Sequence, residues 1–105
     1  MFNDQRKAGK LYAAVAASQT AQELSSSGAL GDYLSHLVIV PASTSPGVVS
    51  IKDGGDTAIT VFAGGAGSVA DLAPRHVMID ANSRTGGWQI TTGANVSVLA
   101  FGQFT

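Results

Sequence analysis

The sequence predicts an all-β protein: a two-sheet antiparallel β-sandwich of jelly-roll or Greek-key type, preceded by a short N-terminal arm. Three observations carry that expectation. Residues 33–63 hold three β-like runs, at 34–40, 48–52 and 57–62, separated by Ser-, Pro- and Gly-rich turn signals. They read as an antiparallel meander, the seed of a sandwich or barrel. The remainder of the chain adds further short apolar runs, for seven or eight strands in all, and no convincing long helix. Finally, the chain has no cysteine and its one tryptophan, Trp88, lies in a late run. That is unlike the Cys, Trp, Cys spacing of an immunoglobulin domain.

In chain order, residues 1–10 form an arm carrying Arg6, Lys7 and Lys10, three of the six basic residues. With no apolar period of its own, the arm orders only on a partner. Residues 11–105 form one sandwich domain. Its first run, 11–17, is alanine-rich but has no N-cap and reads as a strand. Residues 20–25 are ambiguous between strand and helical turn, and strand is the better fit to a sheet-forming chain. Loop 26–32 follows. In the run after it one face would carry Leu34, His36, Val38 and Val40, the other Tyr33, Ser35, Leu37 and Ile39. Both faces are largely apolar, which predicts a strand covered on both sides.

The next runs alternate more cleanly. Val49 and Ile51 point in, with Ser50 and Lys52 out; Ile59 and Val61 point in beside Thr60. The Asp53-Gly54-Gly55-Asp56 turn between them suits a hairpin, because glycine accepts positive φ. After Gly64-Gly65-Ala66-Gly67 the chain crosses over through 69–74. Residues 75–80 put Val77 and Ile79 inward, and 88–91 put Trp88 and Ile90 on the core side. The closing run, 96–104, sets Val96, Val98 and Ala100 on one face and Leu99 and Phe101 on the other, with Phe104 following. The expected core is Trp88, Ile90, Val38, Ile51, Val61 and Ile79. An apolar outer face on a closing strand calls for cover, by the first strand or by another subunit.

Composition bounds function. Of 105 residues only 12% are charged, against about 25% in an average soluble domain. Surfaces that meet other subunits are depleted in charge, so the chain reads as an assembly component. A net charge of −1 gives no basic field for nucleic acid or an anionic membrane, and no run reaches the roughly 20 apolar residues of a membrane helix. Residues 1–10 are too polar to open a secretory signal. A soluble protein made in a cytoplasm is expected.

Catalytic and cofactor motifs are lacking. His36 and His76 have no cysteine beside them, and a metal site would need Asp32, Asp71 or Asp80 folded against them. The Asp53–Asp56 loop has too few acidic positions for calcium. Gly64–Gly67 is not followed by the GK[ST] of a phosphate loop, and no G-x-S-x-G elbow is present. Asn95-Val96-Ser97 matches a glycosylation sequon, which has no meaning without export. We expect no enzyme activity, no metal and no cofactor. Trp88 after Gly86-Gly87 suits a core plug better than a sugar-stacking platform.

The order of segments resembles a family of small virion structural proteins of tailed bacteriophages and prophages. The resemblance rests on Val15-Ala16-Ala17-Ser18-Gln19-Thr20, Gly31-Asp32-Tyr33-Leu34, Leu37-Val38-Ile39-Val40-Pro41-Ala42, Ser45-Pro46-Gly47, Val49-Ser50-Ile51-Lys52-Asp53-Gly54, the run 58–65 and the run 87–98. It covers most of the chain from Val15 onward. The basic arm and Arg75-His76 stand outside it. The resemblance implies a head decoration, or cement, protein on the capsid exterior, bridging subunits of the major capsid protein, self-associated as a homotrimer. From the residues themselves, an interface would involve the basic Arg6, Lys7 and Lys10 of the arm and Leu99, Phe101 and Phe104 of the closing run. A tail, fibre or baseplate component is the alternative within that class. From another class, a carbohydrate-binding module would stack sugars on Trp88 and Tyr33.

Overall fold

Alternating apolar residues can bury one face of a strand only against a second layer, and the chain solves this with two four-stranded sheets. The computed structural model describes residues 10–26 and 30–105. These form β1 (Lys10–Val15), β2 (Gln22–Glu23), β3 (Tyr33–Pro41), β4 (Val49–Asp53), β5 (Ile59–Phe62), β6 (Arg75–Asn82), β7 (Trp88–Thr92) and β8 (Val96–Phe104). No helix occurs among the described residues. Arg6 and Lys7 lie outside them.

The pairings nest. β1 pairs β8, β2 pairs β7, β3 pairs β6 and β4 pairs β5, all antiparallel. This is one long hairpin ribbon, and rolling it up adds the β3–β8 and β4–β7 ladders. The resulting orders are β1-β8-β3-β6 in one sheet and β2-β7-β4-β5 in the other. A rolled eight-stranded ribbon in two sheets is a jelly roll.

The expected meander over 33–63 is therefore replaced by a different arrangement. β4 and β5 do form the hairpin, but β3 belongs to the opposite sheet. The Pro46-Gly47 segment does not turn β3 back on itself; it carries the chain across the core.

Burial follows the period of two where the ladders are regular. Val49 and Ile51 are buried, as are Trp88 and Ile90, and Val96, Val98 and Ala100. Each valine or isoleucine so buried contributes about 1.5–3 kcal/mol. Val61 and Ile79 are partly buried against this core. Ile59, expected inward, does lie opposite the buried Ile51, but on the edge strand β5 it is 55% exposed. Phe104, expected at an interface, is 1% exposed. It shares the parity of Val98 and Ala100 and fills the core.

β3 departs most from simple alternation. Its register slips between Leu34 and His36 against both neighbours. Against β8, Leu34 faces Gly102 and His36 faces Phe101, so β3 carries one extra residue there. Against β6, Leu34 faces Ala81 and His36 faces Met78, so β6 carries a further one, beside Asp80 at φ 55°. The bulge resets the phase. Leu34, Leu37 and Ile39 all turn inward at 0% exposure, while His36 and Val38 turn outward. The strand is thus buried on one face rather than two, and Val38 leaves the expected core.

Gly102 is required at this point, since a Cβ there would run into the Tyr33 carbonyl. At one end of the sandwich Gly47 and Gly93 abut, and a Cβ on either would lie 2.7 Å from the other's Cα. The β1–β2 connection is held by β7: Thr92 Oγ1 donates to Ala16 O at 2.6 Å and accepts from Gln19 N at 3.0 Å. Thr91 Oγ1 accepts from Ala21 N at 2.8 Å. These bonds hold Ser18 and Ala21 at positive φ and leave β2 only two residues long.

Candidate interaction face

The two sheets present opposite characters to the outside. On the β2-β7-β4-β5 sheet, Glu23, Gln89 and Lys52 form one cross-strand row. Thr91, Ser50 and Thr60 form the next. Gln89 Nε2 donates to Glu23 Oε2 at 3.5 Å. Such a surface is satisfied by water.

The outer face of β1-β8-β3-β6 is apolar and aromatic. Register pairs set Tyr12 beside Phe101, Phe101 beside His36, and His36 beside Met78, one residue from each strand. A second row runs Ala14, Leu99, Val38, His76, and Val40 opposite Ser97 begins a third. Met78 is 71% exposed and Tyr12 61%. The His36 and Phe101 rings stack in the middle, centroids 4.7 Å apart and 9° from parallel. Ser35 Oγ lies 3.1 Å from His36 Nδ1. Four strands by eight residues give this face about 500 Å² in plan, of the order of one side of a standard protein interface.

Of the residues expected at an interface, Leu99 and Phe101 meet here, on adjacent rows of β8. Lys10 sits exposed at the start of β1, on the rim. Tyr12, His36, Val38 and Met78 join Leu99 and Phe101 here through strand pairing that the sequence pattern does not show. Alternation alone would place His76 and Met78 outward, but only the strand order puts them beside β3.

The remaining polar candidates are absorbed by the fold. Asp53 carboxylate oxygens accept from Arg84 N at 2.9 Å and Thr85 N at 3.1 Å, and Asp56 Oδ1 accepts from Thr57 N at 2.8 Å. That loop is a hairpin tied to the β6–β7 turn. Arg75 pairs Asp71 at 3.4 Å. At the corner near the bulge, Tyr33 donates to Asp80 Oδ1 at 2.6 Å and Asn82 Nδ2 to Gly31 O at 3.0 Å. The Asp80 carboxylate that accepts its hydroxyl proton holds the Tyr33 phenol above the usual tyrosine range, with Ser35 opposing. Among the described residues no three of His, Asp and Glu come together. Trp88 is 5% exposed and offers no face to a sugar.

No family model, curated protein or solved structure matches the chain.

Proposed function

We propose that the chain is a capsid decoration protein of a tailed bacteriophage, which binds the outer surface of the major capsid lattice through the β1-β8-β3-β6 face and stiffens the head. The observation that carries this reading is the contrast between the two sheets. A chain with 12% charged residues sets the exposed Tyr12, Val40 and Met78 beside the half-buried Phe101, Leu99 and Val38 on the outer face of one sheet. A contiguous, largely apolar face of this extent is the kind of surface that often serves as a contact site. Many copies each burying a modest face across subunit seams resist the outward pressure of packaged DNA. The role is structural, without catalysis or cofactor, and its site is the virion exterior.

The test adds purified protein to capsids from the same genome stripped of it and measures occupancy by cryo-electron microscopy. Wild-type protein is expected to load at regular lattice positions, and Met78→Asp or Leu99→Asp to load poorly while unfolding at the wild-type temperature. Density on the tail instead assigns the protein to tail, fibre or baseplate. Equal loading of the charged variants removes the face from the contact.

A further inference from the structure

Sheet edges leave N–H and C=O groups unpaired, and proteins blunt them with short strands, charges, proline or irregular backbone. Three of the four edges here are so treated. β2 has two residues and β5 four. β6 follows Pro74 directly, carries Arg75, His76 and Asp80, and is broken by the positive φ of Asp80. β1 differs past its start, where Lys10 and a register shift between Lys10 and Tyr12 fall. From Tyr12 it runs in regular register as Tyr12-Ala13-Ala14-Val15, with Leu11 46% and Tyr12 61% exposed. Among the described residues only β8 pairs with it.

The direction of its backbone can be read. Gln22 Nε2 donates to Ala14 O at 3.3 Å across a groove along the edge, which Lys10, Tyr12 and Glu23 also line. The Ala14 carbonyl therefore points away from β8. With a period of two, the backbone groups of Tyr12 point the same way, while those of Ala13 and Val15 serve the β8 ladder.

We propose that β1 pairs antiparallel with β1 of a second copy about a two-fold axis through Ala13, making one eight-stranded sheet, β6-β3-β8-β1-β1-β8-β3-β6. Residues opposite each other in a sheet must share a face. Tyr12 and Ala14 both lie on the outer face, so Tyr12 of one copy sits opposite Ala14 of the other, and their outward N–H and C=O groups exchange bonds. The Tyr12 N–H replaces the long bond from Gln22 to the Ala14 carbonyl. Two features favour a second copy as the occupant. The large Tyr12 meets the small Ala14 twice by symmetry. The apolar row Tyr12, Phe101, His36, Met78 also continues across the axis instead of ending at a rim. This pairing gives dimers in place of a homotrimer, and it stands whether or not the protein decorates a capsid.

The chain has no cysteine, which makes a cross-linking test clean. Across the axis the two Ala13 residues form a non-hydrogen-bonded pair with Cα atoms about 4.5 Å apart, within disulfide range. Ala13→Cys is expected to form a covalent dimer under mild oxidation. Tyr12→Cys, more exposed but about 8 Å from its symmetry mate by the strand spacings, is expected to cross-link far more slowly. In sedimentation the wild-type chain runs as a dimer of the 10.6 kDa subunit. Ala14→Pro, which removes an N–H that β8 does not use, and Tyr12→Lys, which charges the edge, run as monomers with the wild-type melting temperature. A monomeric or trimeric wild-type chain, a cysteine at 13 that stays unlinked, or equal cross-linking at 12 and 13 overturns the proposal. So does a folded Tyr12→Lys chain that still dimerises as wild type.

Discussion

The indole Nε1 of Trp88 donates to the backbone carbonyl of Asp32 at 3.0 Å, joining the two sheets through a buried hydrogen bond. Trp88 opens β7 in one sheet and Asp32 immediately precedes β3 in the other. The same carbonyl accepts from Ser83 N at 2.8 Å, and Asp32 N donates to Ser83 Oγ at 3.2 Å. The Asp32 carboxylate accepts from Thr105 N at 3.1 Å and Thr105 Oγ1 at 2.7 Å, which anchors the chain just past β8. Three strands and the β6–β7 turn therefore meet at one residue that is only 3% exposed.

Trp88→Ala should destabilise the protein by about 3–5 kcal/mol, the usual cost of emptying a buried aromatic site. Trp88→Phe keeps most of the volume but loses the donor, and should cost about 1–3 kcal/mol. Chemical denaturation followed by circular dichroism measures both. Unfolding curves that overlay wild type for the alanine variant would remove Trp88 from the core.

Asp32→Ala leaves the Thr105 groups without the acceptor described above, in a part-buried setting where a lost charged acceptor costs about 1–3 kcal/mol. The loss should be local first. Hydrogen exchange at the Phe104 end of β8 is expected to accelerate more than exchange at Val98, in the middle of the strand.

Tyr33 should ionise above the usual tyrosine value of about 10, chiefly because its hydroxyl donates to Asp80. A raised folded pKa means the contribution is complete below the unfolded value and is lost as pH rises through the folded one. Stability linked to this pair should therefore decline above about pH 10. Ultraviolet titration resolves it, since the chain has two tyrosines and Tyr33→Phe leaves Tyr12 alone. Asp80→Asn should bring the later transition down; no movement would refute the assignment to Asp80.

Gly102→Ala should be among the most damaging single-methyl changes in the chain. Its Cβ collides with the Tyr33 carbonyl at the bulge, and backbone cannot yield as a side-chain tip does. A loss of about 1–3 kcal/mol or more is expected for such overpacking, whereas Gly55→Ala, with nothing within 4 Å, should be nearly neutral. Equal melting temperatures for the two variants would contradict this.

The alternation of Val49 and Ile51, of Trp88 and Ile90, and of Val96, Val98 and Ala100 specified strands and their buried faces from local pattern alone. So did the turn chemistry of Asp53–Asp56. The sequence could not announce the phase change in β3. An extra residue at Ser35 is invisible until β8 and β6 are beside it, and that single slip moved Val38 out of the core and drew Leu34 in with Leu37. Nor did it disclose that Phe104 faces inward, that β3 and β4 part company across the core, or that Met78, His36, Phe101 and Tyr12 stand in one row. Side-chain alternation is set within a strand by the pleat, whereas the row is set by pairing between strands up to 89 positions apart, from Tyr12 to Phe101. Only burial of the whole ribbon selects those pairings, so the outer face existed in the sequence as separate residues and became a surface when the ribbon rolled.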